Sequence, residues 1–196
     1  QLEARLDSRQ ARQASGRGFS FRREEPLVMT FHPDTHPNAR EFINLAPEEE
    51  IERVIHTYGE EGRAKKIARA IVEARRRCAI TTSAELAGII LRVAPRRGKI
   101  HPATKTFQAI RIHVNRELEN LSSALQGSWN ILTPGGRIGI VSFHSLEDRI
   151  VKNFFKEKAE EGLALIITKK PIRPAREEQM QNPRSRSAKL RILQKI

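Results

Sequence analysis

"IGIVSFHSLEDRIVKNFF" (residues 138–155) reads as a hydrophobic strand that stops on Ser142-Phe143-His144-Ser145 and turns at once into a helix. Ile138, Ile140 and Val141 are β-branched residues that suit a strand. Ser145 suits the N-cap of the following helix, with Asp148 at its third position. In open α/β sheets, ligands bind outside the carboxyl ends of the strands. Two hydroxyls and an imidazole at such an end make Ser142 and His144 candidates for a ligand-facing lip. The plainer alternative for His144 is a strand-end residue bonded to the next helix, and pattern alone leaves both open. A hydrolytic nucleophile elbow is disfavoured, because such a turn needs small residues around its Ser and here Phe143 and Leu146 intervene.

Upstream, Thr133-Pro134-Gly135-Gly136 is a turn. Before it, the spacing of Phe107, Ile110, Val114, Leu118, Leu121 and Leu125 predicts one long helix over about 103–131. Gln108, Arg111 and Asn115 share a neighbouring face of that helix. A planar guanidinium and an amide one turn apart can read a base edge or a phosphate, and a solvated helix face is the alternative. Downstream, Leu163–Thr168 reads as a strand, 169–185 as a Pro- and charge-rich loop, and Ser187–Leu193 as a last strand with Ala188, Leu190 and Ile192 alternating.

Residues 39–95 read as a small helical unit. Pro47 precedes an acidic first turn, Glu48-Glu49-Glu50, and Ile51, Val54, Ile55 and Tyr58 follow with helical spacing until Gly59. The next helix puts Ala64, Ile67, Ala68, Ile71 and Val72 on one face and Arg63, Lys66, Arg69 and Arg76 on the other. Thr82-x-x-Glu85 is a capping box opening a helix of Leu86, Ile89, Ile90 and Val93, which Pro95 stops. Arg96-Arg97-Gly98-Lys99 is a basic loop. Ahead of this unit lie a polar, Arg- and Gln-rich lead-in and a Pro/His-rich loop, 26–37, anchored by Phe19, Phe21 and Phe31. A helical unit followed by helix, strand, helix, strand and strand predicts an α/β chain, its tail resembling the second half of a sheet domain.

The 196 residues carry a net charge of +13, which favours a polyanionic partner such as nucleic acid. The basic faces at 63–77 and 96–99 would meet its phosphates, while mere solubilising charge is the alternative. No apolar run is long enough to span a bilayer, so no membrane partner is predicted. A single cysteine, Cys78, fits a reducing cytoplasm. The first residues are charged and carry no apolar signal segment, and the absence of an initiating Met predicts a fragment or a processed chain. There is no P-loop, no GxGxxG after a strand, no CxxC and no HExxH, and the six histidines are dispersed, so no metal site is predicted.

Five stretches taken together resemble one family. "GRGFSF" (16–21), "YGEEGRAKKIARAIV" (58–72), "HPATKTFQAIRIHVN" (101–115), "GGRIGIVSFHSLEDRIVK" (135–152) and "NPRSRSAKLR" (182–191) are similar, in the same order, to the bacterial 16S ribosomal RNA cytosine-N4 methyltransferases of MraW type. The resemblance implies the C-terminal part of a class I, Rossmann-like, S-adenosylmethionine-dependent methyltransferase with an inserted helical domain. It divides the chain into a lead-in and loop from the methyltransferase core (1–38), an inserted RNA-recognition domain (39–100) and the C-terminal half of the methyltransferase domain (101–196). The implied partner is 16S rRNA in the small ribosomal subunit, with monomer and homodimer both open.

The family's glycine-rich cofactor loop, its ribose-binding acid and its DLGVSS-like strand end do not occur in these residues. The chain is therefore expected to begin about where that part finishes and to bind cofactor poorly alone. The family's cofactor-contacting Gln corresponds to Gln10, with Gln1 a rival match, and its PLDMR reads Pro26-Leu27-Val28-Met29-Thr30 here.

The chemistry implied is demanding. The N4 amine of cytosine is a weak nucleophile that must be held in line with a sulfonium methyl. It must lose a proton to an acceptor, and the base must leave its stack. The resemblance gives His144 or Ser142 the task of orienting the amine. It gives Arg111, Gln108 and Asn115 the holding of the nucleotide. Arg63, Lys66, Arg69, Arg96 and Arg97 would grip phosphates, and Arg184 and Arg186 would close over the same region. A non-enzymatic RNA-binding remnant and a basic DNA-binding protein are the competing expectations.

Overall fold

A computed structural model describes residues 16–21, 23–32, 34–95 and 101–196. Gln10, Arg96 and Arg97 lie outside the described residues. The chain divides into two compact units, one ending at Glu117 and the other spanning Leu118–Ile196. The described residues are α/β, helices with one small sheet, and no helix among them is long and apolar enough to cross a membrane.

The first unit is helical: α1 (Ala39–Leu45), α2 (Glu48–Gly59), α3 (Ala64–Arg75), α4 (Ser83–Val93) and α5 (Ala103–Val114). The apolar residues expected from spacing are those that are buried, with Ile51, Val54, Ile55, Ile67, Ile71, Leu86, Ile90 and Ile110 in one core. Glu48, Glu49 and Glu50 sit in the first turn of α2, where the helix dipole favours negative charge. At its other end Gly59 lets the backbones of α2 and α5 approach, since a Cβ there would lie 2.8 Å from the Lys105 carbonyl oxygen. Phe19 stacks on Phe31, and Phe21 on His101, fastening the loop that precedes α1.

The single helix expected over 103–131 is two helices, α5 and α6 (Glu117–Ile131), broken at Asn115-Arg116. Arg116 takes a left-handed conformation, φ 50°, closing α5 as a C-terminal residue of that shape commonly does. The cause is Asn115, whose amide Nδ2 donates to the Arg111 carbonyl at 2.8 Å and to the Met29 carbonyl at 2.7 Å. Side chain-to-backbone bonds of this kind compete with helix continuation. α5 belongs to the first compact unit.

The second unit holds most of α6, then β1 (Arg137–Ser142), α7 (Ser145–Glu160), β2 (Ala164–Ile166), α8 (Arg176–Gln181), a 3-10 turn (Pro183–Ser187) and β3 (Lys189–Lys195). The strand order is β1-β3-β2, and β3 is antiparallel to both neighbours. The register runs from Arg137 opposite Gln194 to Ser142 opposite Lys189. Leu125, Trp129, Ile138, Val151, Phe155 and Leu193 form this unit's core. Val141 and Leu165 are exposed.

Two expectations are corrected. The stretch 169–185 contains α8 and the start of the 3-10 turn, because the acidic pair Glu177-Glu178 supplies a favourable first turn. The last strand begins at Lys189 rather than Ser187, because residues 183–187 are still turning.

The Thr82–Glu85 capping box is present as read. Thr82 Oγ1 accepts from Glu85 N at 3.2 Å, and Glu85 Oε2 accepts from Thr82 N at 3.0 Å. Backbone bonds from Thr81 and Thr82 hold the Glu85 carboxyl below its usual range. Thr82→Ala is expected to cost about 1 kcal/mol, read as a lowered denaturant midpoint. Because the Glu85 pKa is depressed, the cap's contribution is present above the ordinary glutamate range and fades as pH falls below it.

Candidate functional site

The β1–α7 junction brings Ser142, Phe143 and His144 together. Ser142 is buried opposite Lys189, and its Oγ donates to the Lys189 carbonyl at 3.4 Å. Phe143 is 44% exposed, because β1 ends one residue earlier and the chain turns outward there.

His144, not Ser145, is the N-cap of α7. Its Nδ1 accepts from Glu147 N at 3.3 Å, and Glu147 Oε2 accepts from His144 N at 3.2 Å and Phe143 N at 2.8 Å. An imidazole nitrogen here does what a hydroxyl or carboxamide oxygen does in commoner caps. With Nδ1 accepting, a neutral ring carries its proton on Nε2, which lies 3.3 Å from Glu147 Oε1. The amides that lead into α7 are thus bonded to protein groups. The described residues do not form a complete holder for S-adenosylmethionine, and no glycine-rich turn among them joins a strand to a helix.

One turn further along α7, Asp148 receives Arg191 Nε at 2.7 Å, Arg191 Nη2 at 3.3 Å and Lys189 Nζ at 3.0 Å. Arg191 is buried on the same face of β3 as Leu193. Its guanidinium, together with Lys189, holds the Asp148 carboxyl below the usual aspartate range against the opposing effect of burial. Sequence reading missed this cluster. The available signal was a charged residue sharing an alternation phase with Leu193. Ala188, Leu190 and Ile192 occupy the other phase and are only half-buried.

In the first unit, Gln108, Arg111 and Asn115 all belong to the α5 end. Arg111 makes a two-pronged pair with Glu117, Nε to Oε1 at 2.8 Å and Nη2 to Oε2 at 3.0 Å. Asn115 clamps the Pro26–Thr30 loop: beyond its bond to Met29, its Oδ1 accepts from Phe31 N at 2.8 Å. Arg17 reinforces the clamp, donating to the Phe31 carbonyl at 2.8 Å. Met29 is fully buried with φ 55°. Thr30, which stands where the family motif has its base, is also fully buried, and its hydroxyl has no hydrogen-bond partner among the described residues. Gln108 is half-buried on α5.

Arg63, Lys66 and Arg69 follow one another along α3. Arg63 is half-buried at the helix start and Lys66 is exposed, while Arg69 is exposed and bonded to Glu73 at 2.9 Å. Arg184 and Arg186 are exposed on either side of buried Ser185 in the 3-10 turn.

The sequence profile of the MraW methylase family matches residues 7–196. The chain is 51% identical over 179 residues to the ribosomal RNA small subunit methyltransferase H of Coprothermobacter proteolyticus, covering 91% of this chain and 60% of that protein. The protein of the same name from Leptospira interrogans is 49% identical over 185 residues, covering 92% of this chain and 55% of its own length. The Persephonella marina counterpart is 51% identical over 183 residues, covering 92% of this chain and 62% of its own length. The chain thus spans 55–62% of the length of these relatives.

Asp148→Asn is expected to cost about 3 kcal/mol, because it leaves two cations, one of them buried, without their anion. The depressed Asp148 pKa means the native protein loses this contribution as pH falls below the ordinary aspartate range. Acid melts of the two proteins should therefore converge. Asn115→Ala is expected to cost about 1–3 kcal/mol by stranding the Met29 carbonyl and the Phe31 amide. Faster amide exchange at Phe31 would locate that loss.

Proposed function

Because the chain belongs to the MraW methylase family, we propose that it forms the C-terminal part of a class I methyltransferase with an inserted helical domain at 39–100. The enzyme transfers the methyl group of S-adenosylmethionine to the exocyclic N4 amine of a cytidine in 16S ribosomal RNA of the small subunit, in the cytoplasm. The observation that carries this reading is identity near 50% across nine-tenths of the chain, in relatives named for small-subunit rRNA methylation.

The geometry supports a division of labour. Ser142 and His144 stand at the carboxyl end of β1, the kind of position from which polar groups reach a ligand in α/β sheets. The His144 imidazole and the Glu147 carboxylate, with Nε2 and Oε1 3.3 Å apart, stand together at this end as groups suited to orienting an amine, the carboxylate being the acceptor for its proton. Arg111 and Asn115 are positioning residues in this scheme. Their planar groups hold Glu117 and the 29–31 loop, and Gln108 lies one turn before Arg111 on the same helix. Lys66 and Arg63 offer cations for rRNA phosphates, with Arg69 shared with Glu73.

In its full-length context the chain is expected to convert one cytidine of unmodified small subunits to N4-methylcytidine, detected by nucleoside mass spectrometry with labelled S-adenosylmethionine. Label on a different base, or none, would end the reading. His144→Asn keeps a good cap while removing the imidazole. It is expected to lower kcat by about 10²-fold or more with a melting temperature near the parent's. Parental kcat in that variant would leave His144 with a capping role alone.

A further inference from the structure

The connection between β2 and β3 leaves the sheet at the same end as the Ser142–His144 junction. Ile172 and Leu190 exchange backbone hydrogen bonds, each at 2.9 Å, and Leu190 also stands opposite Val141 in the β1–β3 register. Val141, Leu190 and Ile172 therefore form one row across the sheet. The residues beyond that row are Ser142 on β1, Lys189 on β3 and Arg173 on the connection. Residues 173–188 consequently emerge beside the carboxyl end of β1.

That excursion carries Arg173, Arg176, Arg184 and Arg186 against only Glu177 and Glu178. None of the four arginines has an ion pair or side-chain hydrogen bond among the described residues, unlike Arg69, Arg111 and Arg191. All four are exposed. At the same end, Phe143 presents 44% of its surface, its backbone amide held by Glu147 Oε2 at 2.8 Å. An exposed aromatic ring on a fixed backbone, at the sheet end where exposed arginines without ion-pair partners emerge, matches the requirements of a single-stranded nucleic acid. Bases stack on the ring, and phosphates take the two-pronged guanidinium contact.

Resting on the RNA reading given above, we propose that this end of the sheet is a contact surface for single-stranded RNA, with a nucleobase stacked on Phe143 and phosphates held by Arg173, Arg184 and Arg186. An acidic protein surface would use the arginines but not the flat face of the ring.

The probe is a fluorescein-labelled single-stranded RNA of about 12 nucleotides, its anisotropy followed from about 50 to 200 mM salt, where phosphate contacts set the slope. Phe143→Leu keeps an apolar side chain and is expected to weaken binding about tenfold with the salt slope unchanged. Phe143→Tyr should bind as the parent does. Arg173→Gln combined with Arg186→Gln should lower the slope by about 1.4, two contacts to a single strand.

Phe143→Leu binding like the parent would overturn this surface while leaving the rRNA reading in place, as would an unchanged slope in the arginine variant. Leu and Tyr variants falling alike, with intact circular dichroism, would overturn the stacking role. No binding by the parent at the lower salt would overturn this surface and the RNA reading together.

Discussion

The ion cluster on Asp148 fixes where the last strand of the sheet lies. β3 is the common neighbour of β1 and β2, so its placement determines both pairings. Arg191 occupies a covered position of β3, where an unpaired guanidinium would be expensive. The carboxylate one turn into α7 removes that penalty only when β3 sits in the observed register. A slip of one residue would carry Arg191 to the opposite face and Leu193 out of the core. The same helix begins with the His144–Glu147 cap, so the strand end, the helix start and the last strand are tied through two turns of α7.

The helical unit uses a comparable device at another helix end. Asn115 gives up helix continuation to hold a loop 86 residues earlier in the chain, and Arg17 holds the same loop from its other side. In both units a short polar side chain at or near a helix terminus positions a segment that is distant in sequence. Neither arrangement relies on surface ion pairs, which contribute little when solvated.

What could be read from the sequence divides along that line. Helical spacing located α2, α3 and α4, and the Thr82–Glu85 box marked the start of the last of these, because those signals depend on neighbours a few residues away. β1 and the helix after it were equally plain. The break at Asn115 was hidden because the apolar stripe from Phe107 to Leu125 runs straight through it, with neither Gly nor Pro to mark it. The cap on α7 was assigned one residue late, since Ser is a common cap and His is not. α8 was masked by the prolines around it. Ser142, His144, Arg111 and Asn115 were singled out from their positions on a strand end and a helix face. Their actual bonds depend on partners such as Glu147, Glu117 and Met29, and the last of these lies beyond the reach of any local pattern.

The strand order also bears on how such a chain acquires its shape during synthesis. Among the described residues β1 and β2 do not pair with each other, and each pairs with a strand that follows both in sequence. A nascent chain that has exposed β1, α7 and β2 therefore has three pieces of a sheet's surroundings and no ladder to join them. Until β3 clears the ribosomal exit tunnel, the apolar faces of Ile138, Val151 and Phe155 must wait in a loose collapsed state. Closure of this three-stranded ladder thus waits on the synthesis of β3, an interval in which chaperone protection would matter most.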